Sequence, residues 1–577
     1  MSPVDVAENY KGRIKSMVAV FGAAEFEPDW DNDLKNYTVW FPAIHGIPAW
    51  RPLYLAAGFG RWCFHGIRRT AELLHIPTTK GWELRYVDGY PYLTVIETTE
   101  EERRQREPIF RERIKPFIED LGGVWRTKRD EVMQGYDTFR KTFGIEEYEA
   151  IKNISNIDLL QCFDEFQNRV DRRQWEIHFE LMVPAFYVWG LFEQMCREIL
   201  GFGHSDPRFS KLVSGFDSSL FRCNKEIWRL GSRAAELGLE RLCQTTEDNE
   251  QLMVKLAESE AGGKWLGEYR EFLRVNGWRC ERMMEWSTPS WIEKPSLGLP
   301  SVKVALTSKG VYTLDQKRER AIQERKEAER EIVAKVPAEK REWFTALMKA
   351  SLQAGYYSED HTFYQELYAH AIGRWITREY GRRFAEAGCI DDPEDVYFLL
   401  PEDIRRAAIS MGKVNLRFRV EPRKKEWEGY TKSPPKPFFG EIERAGDMAM
   451  RDPLIMVAAA APVVREDIKA DLYSAAATPG VVEGVARVIM TEDKLHEVKP
   501  GEILVAPGTS APWTPAFEII GGLITDGGGA LSHAIIVARE YGIPCVAGTV
   551  EATRKIKTGD RVKIDGNEGV AYILSKS

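Results

Sequence analysis

The feature that most limits what this chain can fold into is a change of texture around Pro434, Pro435 and Pro437. They lie in the charged stretch EPRKKEWEGYTKSPPKPFFGE, where proline removes backbone donors and fixes φ, so neither helix nor strand is expected and a fairly stiff linker is. Before it, from about residue 101 to 420, apolar residues recur at helical spacing, as in EERRQREPIFRERIKPFIEDLGGVW, LLQCFDEFQNRV and FYVWGLFEQMCREIL. After it come short β-branched runs divided by Gly and Pro, such as TPGVVEGVARVIM, GEILVAPGTS and DRVKIDGNEGVAYIL, with one helical pattern at 532–541. A chain of 577 residues exceeds one core. The expectation is a multidomain protein: a mixed α/β part over 1–100, a mostly α-helical body over 101–420, a linker over 421–467 and a compact α/β domain over 468–577.

Composition narrows the function. Lys and Arg number 80 against 88 Asp and Glu, a net charge of −8, which argues against coating nucleic acid or binding anionic membranes. No stretch approaches the ~18 uncharged apolar residues of a membrane helix, and MSPVDVAENYKGRIK lacks the apolar centre of a signal peptide, so a cytoplasmic location is expected. Eight scattered cysteines without a CxxC pair suggest neither disulfides nor a metal site. The 17 tryptophans fall mostly before residue 300 and read as an aromatic-rich core, part of which could line an aromatic substrate pocket. The alternating charges of QKRERAIQERKEAEREIVAKVPAEKREWFTALMKA read as a solvated helix face or coiled arm.

The stretch TDGGGALSHAIIVAREYGIPCVAGT carries the chemistry. Gly527, Gly528 and Gly529 give backbone freedom ahead of a helix that Ser532 is placed to cap and that Gly542 and Pro544 end. His533 then falls in the first turn, where free N–H groups and the helix dipole favour an anion. Without a neighbouring carboxylate or a second histidine it makes a poor base dyad or zinc site, but it could attack phosphorus, and the helix start would stabilise the phosphorylated ring. A capped core histidine after a turn is the other reading that the residues leave open.

GGLITDGGGALSHAIIVAREYGIPCVAGT resembles the phosphohistidine signature of the PEP-utilising mobile, or swivelling, domains of PEP synthase, pyruvate phosphate dikinase and rifampicin phosphotransferase. SAAATPGVVEGVARVI and PGEILVAPGTSAPWTPAF resemble the upstream strands of that domain. The resemblance implies that His533 carries the phosphoryl group. Leu531 stands where the dikinases have threonine, which leaves Ser532 as the hydroxyl beside it. The body resembles this family too: GRRFAEAGCIDDPEDVYFLLPEDIRRA is similar to the helical substrate domain of rifampicin phosphotransferases. YTVWFPAIHGIPAWRPLY, VDGYPYLTV, WEIHFELM and EDHTFYQELYAH resemble the large subunit of phenylphosphate synthase. By that resemblance the acceptor is a phenol-type hydroxyl compound; an antibiotic, a flavonoid or another natural product is the alternative, as is a non-catalytic phosphocarrier. The sequence shows no Walker loop, GxGxxG or ATP-grasp pattern in 1–450 and ends 44 residues after His533. A separate ATP-grasp subunit, bringing ATP and Mg2+, is therefore the expected partner, with no cofactor held permanently by this chain.

Three segments offer acceptor-site residues. In EDHTFYQELYAHAIGRW, Glu366, His370 and Arg374 follow at i, i+4 and i+8 and would share a face of a continuous helix, suiting proton removal and phosphate contact. On such a helix His361 would point elsewhere; it and His370 both match the phenylphosphate synthase-like pattern, so either could be the base. In RRQWEIHFELMVPAFYVWG, His178 and Glu180 interrupt an apolar run and read as a satisfied core pair or a tuned base. VNGWRCERMMEWSTPSW resembles a turn reading GHR in rifampicin-type enzymes; Trp278 replaces that histidine, leaving Arg279 and Glu281 as polar candidates.

Overall fold

The computed structural model describes residues 28–37, 39–42, 49–203, 206–281, 285–307, 313–432, 435–436, 438–441 and 467–577. Most of the expected linker, 442–466 included, lies outside these residues.

Near the N-terminus, β2 (Thr79–Val87) and β3 (Tyr90–Glu97) form a hairpin. Its turn places Asp88 at φ 52° and Gly89 at φ 78°, the left-handed pair that matches strand twist in a two-residue loop. β1 (Val39–Pro42) pairs antiparallel with β3, and β4 (Phe439–Gly440) returns from beyond the helical body to pair with β1. The sheet order is β2-β3-β1-β4, and Trp30, Trp40, Tyr92 and Phe439 fill its core.

The helical body starts with Glu100–Phe143, opened by a capping box in which Glu102 N donates to Thr99 Oγ1 at 3.2 Å and Thr99 N to Glu102 Oε2 at 2.8 Å. The helix kinks at Asp120 after Pro116 and stops at Gly144 in the left-handed conformation. Helices Arg172–Leu200 and Arg341–His361 pack beside it over a continuous apolar core. Among the described residues there are three π-helical turns, Phe59–Cys63 ahead of this body and Phe166–Asp171 and Thr362–Leu367 within it, each running directly into the next α-helix.

Two expectations need correction. The charged segment is two helices, Leu314–Lys335 and Arg341–His361, divided at Pro337; Phe344, Leu347, Ala350 and Ala354 of the second are buried, so it is a core element and not a solvated arm. The linker does not begin at 421, since Arg417–Tyr430 is helical with Pro422 in it. Pro422 falls in the second turn, and Arg423 fixes the helix by donating to Phe398 O and Asp403 Oδ2, each at 2.9 Å.

The C-terminal unit is an eight-stranded sheet ordered β5-β12-β11-β7-β8-β9-β10-β6. The strands are β5 (Leu472–Tyr473), β6 (Ala476–Thr478), β7 (Val481–Val488), β8 (Ile503–Ala506), β9 (Gly522–Thr525), β10 (Cys545–Ala547), β11 (Arg561–Asp565) and β12 (Val570–Ser575). β7, β8, β9 and β10 are parallel. β8 and β9 are buried at every position, as parallel strands covered on both faces require. Between β9 and β10 the chain makes the glycine loop and the helix His533–Tyr541. This helix lies against Leu314–Lys335 and Arg341–His361, so the unit is docked on the body. Gly215 N donates to Glu540 Oε2 at 2.8 Å, Asn224 Nδ2 to Tyr541 OH at 2.6 Å, and buried Arg539 lies 5.0 Å from the Trp189 ring. No helix among the described residues is long and apolar enough to cross a membrane, and all eight cysteines are free and buried.

Ile524 is fully buried in β9, in the core on the far side of the sheet from the body. Ile524→Ala is expected to destabilise the C-terminal unit by about 2–5 kcal/mol, measured as a lower midpoint of denaturant unfolding.

Candidate functional site

The loop between β9 and the helix is held from several sides. Gly527 N donates to Pro507 O at 2.9 Å and Ser532 N to Gly529 O at 3.0 Å. The Asp526 carboxylate accepts from the backbone and hydroxyl of Thr553. Of the three glycines, Gly528 is the one in the positive region, at φ 127°, and a Cβ there would stand 2.8 Å from Ser532 Oγ. Ser532 occupies the N-cap position, but its hydroxyl accepts nothing from the first turn and, although buried, meets no hydrogen-bond partner among the described residues. The cap expected from Ser532 is thus absent, and the helix start keeps its amides available.

His533 lies at the head of this helix. Its Nδ1 is 2.8 Å from Thr509 Oγ1 and its Nε2 is 3.3 Å from Thr514 Oγ1. Thr514 already donates to Ala511 O, so it accepts from Nε2–H, and Thr509 donates to the Nδ1 lone pair. Phe517 closes the ring's edge with centroids 5.8 Å apart. The imidazole keeps partial exposure, yet burial lowers its pKa from 6.5 to about 3, so it is neutral at ordinary pH and has a nucleophilic lone pair. Thr509, Thr514 and Phe517 are outside the expected site set, although PGTSAPWTPAF shows three hydroxyl and two aromatic residues ahead of the histidine.

In the body, the structure regroups the acceptor candidates. His178, His361 and Glu366 come together: Glu366 Oε1 lies 3.6 Å from both His178 Nδ1 and His361 Nε2. The π turn Thr362–Leu367 makes this possible. On an α-helix positions i and i+5 stand about 140° apart, whereas a π turn pairs i with i+5, bringing Glu366 over His361. The expected alignment of Glu366 with His370 and Arg374 fails for the same reason. His370 Nε2 donates to Thr288 O at 2.8 Å, and burial lowers its pKa to about 4. Arg374 donates to Glu293 Oε1, Trp286 O, Ser287 O and Tyr397 OH. Both residues anchor the 286–293 loop.

Glu180 also leaves the group, pairing with Arg69, Lys128 and Arg173. Trp278 stacks on Tyr368 with centroids 4.2 Å apart beneath Arg140. Arg279 is buried, reaching Asn276 Oδ1 and Ser219 O and lying over Phe363. Glu281 lies near Glu492 of the C-terminal unit; burial first, then this negative neighbour, raises the Glu492 carboxyl to about 7.

Around the triad the walls are aromatic and polar. Trp175, Phe179 and Tyr357 pack on the two imidazoles. Glu366 and Asp171 act electrostatically on Tyr54 and Tyr136, and burial raises the Asp171 carboxyl to about 7. Gln167 and Gln365 are buried with amide atoms that meet no partner among the described residues. Each such group costs free energy unless something satisfies it.

The depressed His533 pKa means that protonation favours unfolding: its contribution to stability is present above 6.5 and is lost as pH falls from there toward about 3. Histidine-labelled NMR should find its imidazole not titrating between pH 5 and 8; a midpoint near 6.5 would contradict the buried setting. Gly528→Ala should cost about 1–3 kcal/mol through backbone strain, read from denaturant unfolding, and disturb Ser532.

Residues 498–569 match the family described as PEP-utilising enzyme, mobile domain, and residues 178–359 match the rifampicin phosphotransferase fourth domain. The chain is similar to the uncharacterized phosphotransferase YvkC of Bacillus subtilis (strain 168), at 26% identity over 70% of this chain and 48% of that protein. It is similar to chondramide synthase cmdD of Chondromyces crocatus, at 26% identity over 85% of this chain and 13% of that one. It is likewise similar to rifampicin phosphotransferase of Bacillus subtilis (strain 168), at 26% identity over 58% and 37%. The chain spans about half or less of the length of each. Two segments of the chain thus match, in this order, a rifampicin phosphotransferase-type domain and a PEP-utilising mobile domain.

Proposed function

We propose that this chain is a phosphotransferase that carries a phosphoryl group on His533 and passes it to a hydroxyl acceptor held in the helical body. The observation that carries this reading is a neutral imidazole at the start of a helix without a side-chain cap, inside the segment that matches the mobile domain. ATP would bind, with Mg2+, on a separate ATP-grasp subunit, which would phosphorylate one ring nitrogen. The mobile unit would then travel to the acceptor, since one histidine has to visit two sites and rigid-body movement is the usual solution. At the second site the N–P bond breaks, the acceptor oxygen bonds to phosphorus, and His533 returns to its neutral form. The acceptor's proton goes to Glu366, the carboxylate of the triad.

Aromatic rings beside His178 and His361 would favour a flat, phenol-type acceptor. The names of the relatives, rifampicin phosphotransferase among them, support the second reading of a larger natural product with a hydroxyl group. Chain and ATP-grasp partner incubated with ATP and phenol, cresols, catechol or larger phenolics should form one class of aryl phosphate. Glu366→Gln should lower its formation at least about tenfold while leaving His533 phosphorylation intact. Phosphorylated His533 with no phosphorylated product from any acceptor would make the chain a carrier instead.

A further inference from the structure

His178, His361 and Glu366 turn three ligand-type atoms toward one another. His361 Nδ1 lies 3.0 Å from Tyr357 O. A carbonyl only accepts, so Nδ1 carries a hydrogen and Nε2 is the ring nitrogen that can offer a lone pair. That lone pair faces Glu366 Oε1 at 3.6 Å, and His178 Nδ1 faces the same oxygen at 3.6 Å. These separations exceed hydrogen-bond reach. They match the spacing of ligands around one ion: bonds of about 2.0–2.2 Å in tetrahedral geometry set donors about 3.3–3.6 Å apart. All three donor atoms lie within 4.8 Å of one another.

The surroundings are those of a ligand set as well. A backbone carbonyl fixing the far nitrogen of a histidine is the usual outer support of a metal-binding imidazole. The Tyr357 ring stacks on His361 with centroids 4.9 Å apart, and its hydroxyl donates to His178 O at 3.0 Å, so one residue braces both histidines. The side chains of His178 and Glu366 are each 5% exposed, and that of His361 is 13% exposed. Two imidazoles and one carboxylate suit a divalent first-row transition cation such as Zn2+, Mn2+, Fe2+ or Co2+ better than Mg2+ or Ca2+, which favour oxygen donors.

We propose that His178 Nδ1, His361 Nε2 and Glu366 Oε1 bind one divalent first-row transition cation in the helical body. Three protein donors leave coordination positions open to an outside oxygen. That this oxygen is the acceptor's hydroxyl rests on the phosphotransfer reading above; the metal binding does not. In that use the cation would favour the acceptor's alkoxide or phenoxide, and Glu366 Oε2 would remain to take the proton.

The test uses the full chain, stripped with a chelator and titrated with Co2+ and Zn2+. One equivalent of Co2+ should bind with visible absorption bands of nitrogen and oxygen ligation. His361→Ala and Glu366→Gln should weaken binding at least tenfold, while His65→Ala, whose imidazole lies 3.4 Å from Glu176, should leave it unchanged. X-ray absorption on the cobalt-loaded unmodified chain should show two imidazole ligands, a result that does not depend on the variants folding. No stoichiometric binding, binding by His361→Ala and Glu366→Gln as tight as by the unmodified chain, or a cobalt centre without imidazoles would overturn the site. Phosphorylation of His533 is followed on the same samples. A metal-loaded chain that takes no phosphoryl group from ATP and partner would remove the phosphotransfer reading and leave the metal site standing.

Discussion

The helix that begins at His533 starts without a side-chain cap, and the C-terminal unit is organised around that start. Its first amides keep their hydrogen-bonding capacity and its dipole is positive at this end. A negatively charged group on His533 would be stabilised there. Gly528, at φ 127°, turns the loop tightly enough that a Cβ would press on the Ser532 hydroxyl, and β8 and β9 hold the loop from beneath. The opposite end of the same helix docks on the body through Arg539, Glu540 and Tyr541. One short helix therefore joins the candidate chemistry to the surface on which its domain rests.

The docked helix lies against Arg341–His361, whose last residue belongs to the body's buried triad. Glu359, two residues earlier, feels the charge of Arg539, while burial raises its carboxyl to about 8. The two candidate sites thus share a structural element. Both histidine nitrogens of residue 533 are occupied by threonine hydroxyls in this arrangement, so transfer requires at least one of these contacts to be given up.

Much of this was legible in the sequence. The helical body, the β-branched C-terminal unit and the helix at 532–541 follow from periodicity and glycine placement. His533 stood out because glycines and a helix start surround it. The triad was not legible, because periodicity assumes an unbroken α-helix: at 3.6 residues per turn, Glu366 aligns with His370 and His361 turns away. A single π turn reverses both relations, and nothing in the composition of HTFYQEL marks such a turn in advance. The Ser532 cap failed for a local reason, since an N-cap residue type fixes the position but not the direction of its hydroxyl. Glu180 was claimed by Arg173, two turns earlier on its own helix, and by Arg69 and Lys128, which lie far from it in sequence and close in space.

The central claim is that His533 accepts a phosphoryl group, and the most direct measurement is site-resolved mass spectrometry of the chain after incubation with ATP and its ATP-grasp partner. The account predicts an acid-labile, base-stable phosphoryl group on the peptide containing His533, absent from His533→Ala. Phosphorylation that persists in His533→Ala, or that maps to another residue of the unmodified chain, would contradict it.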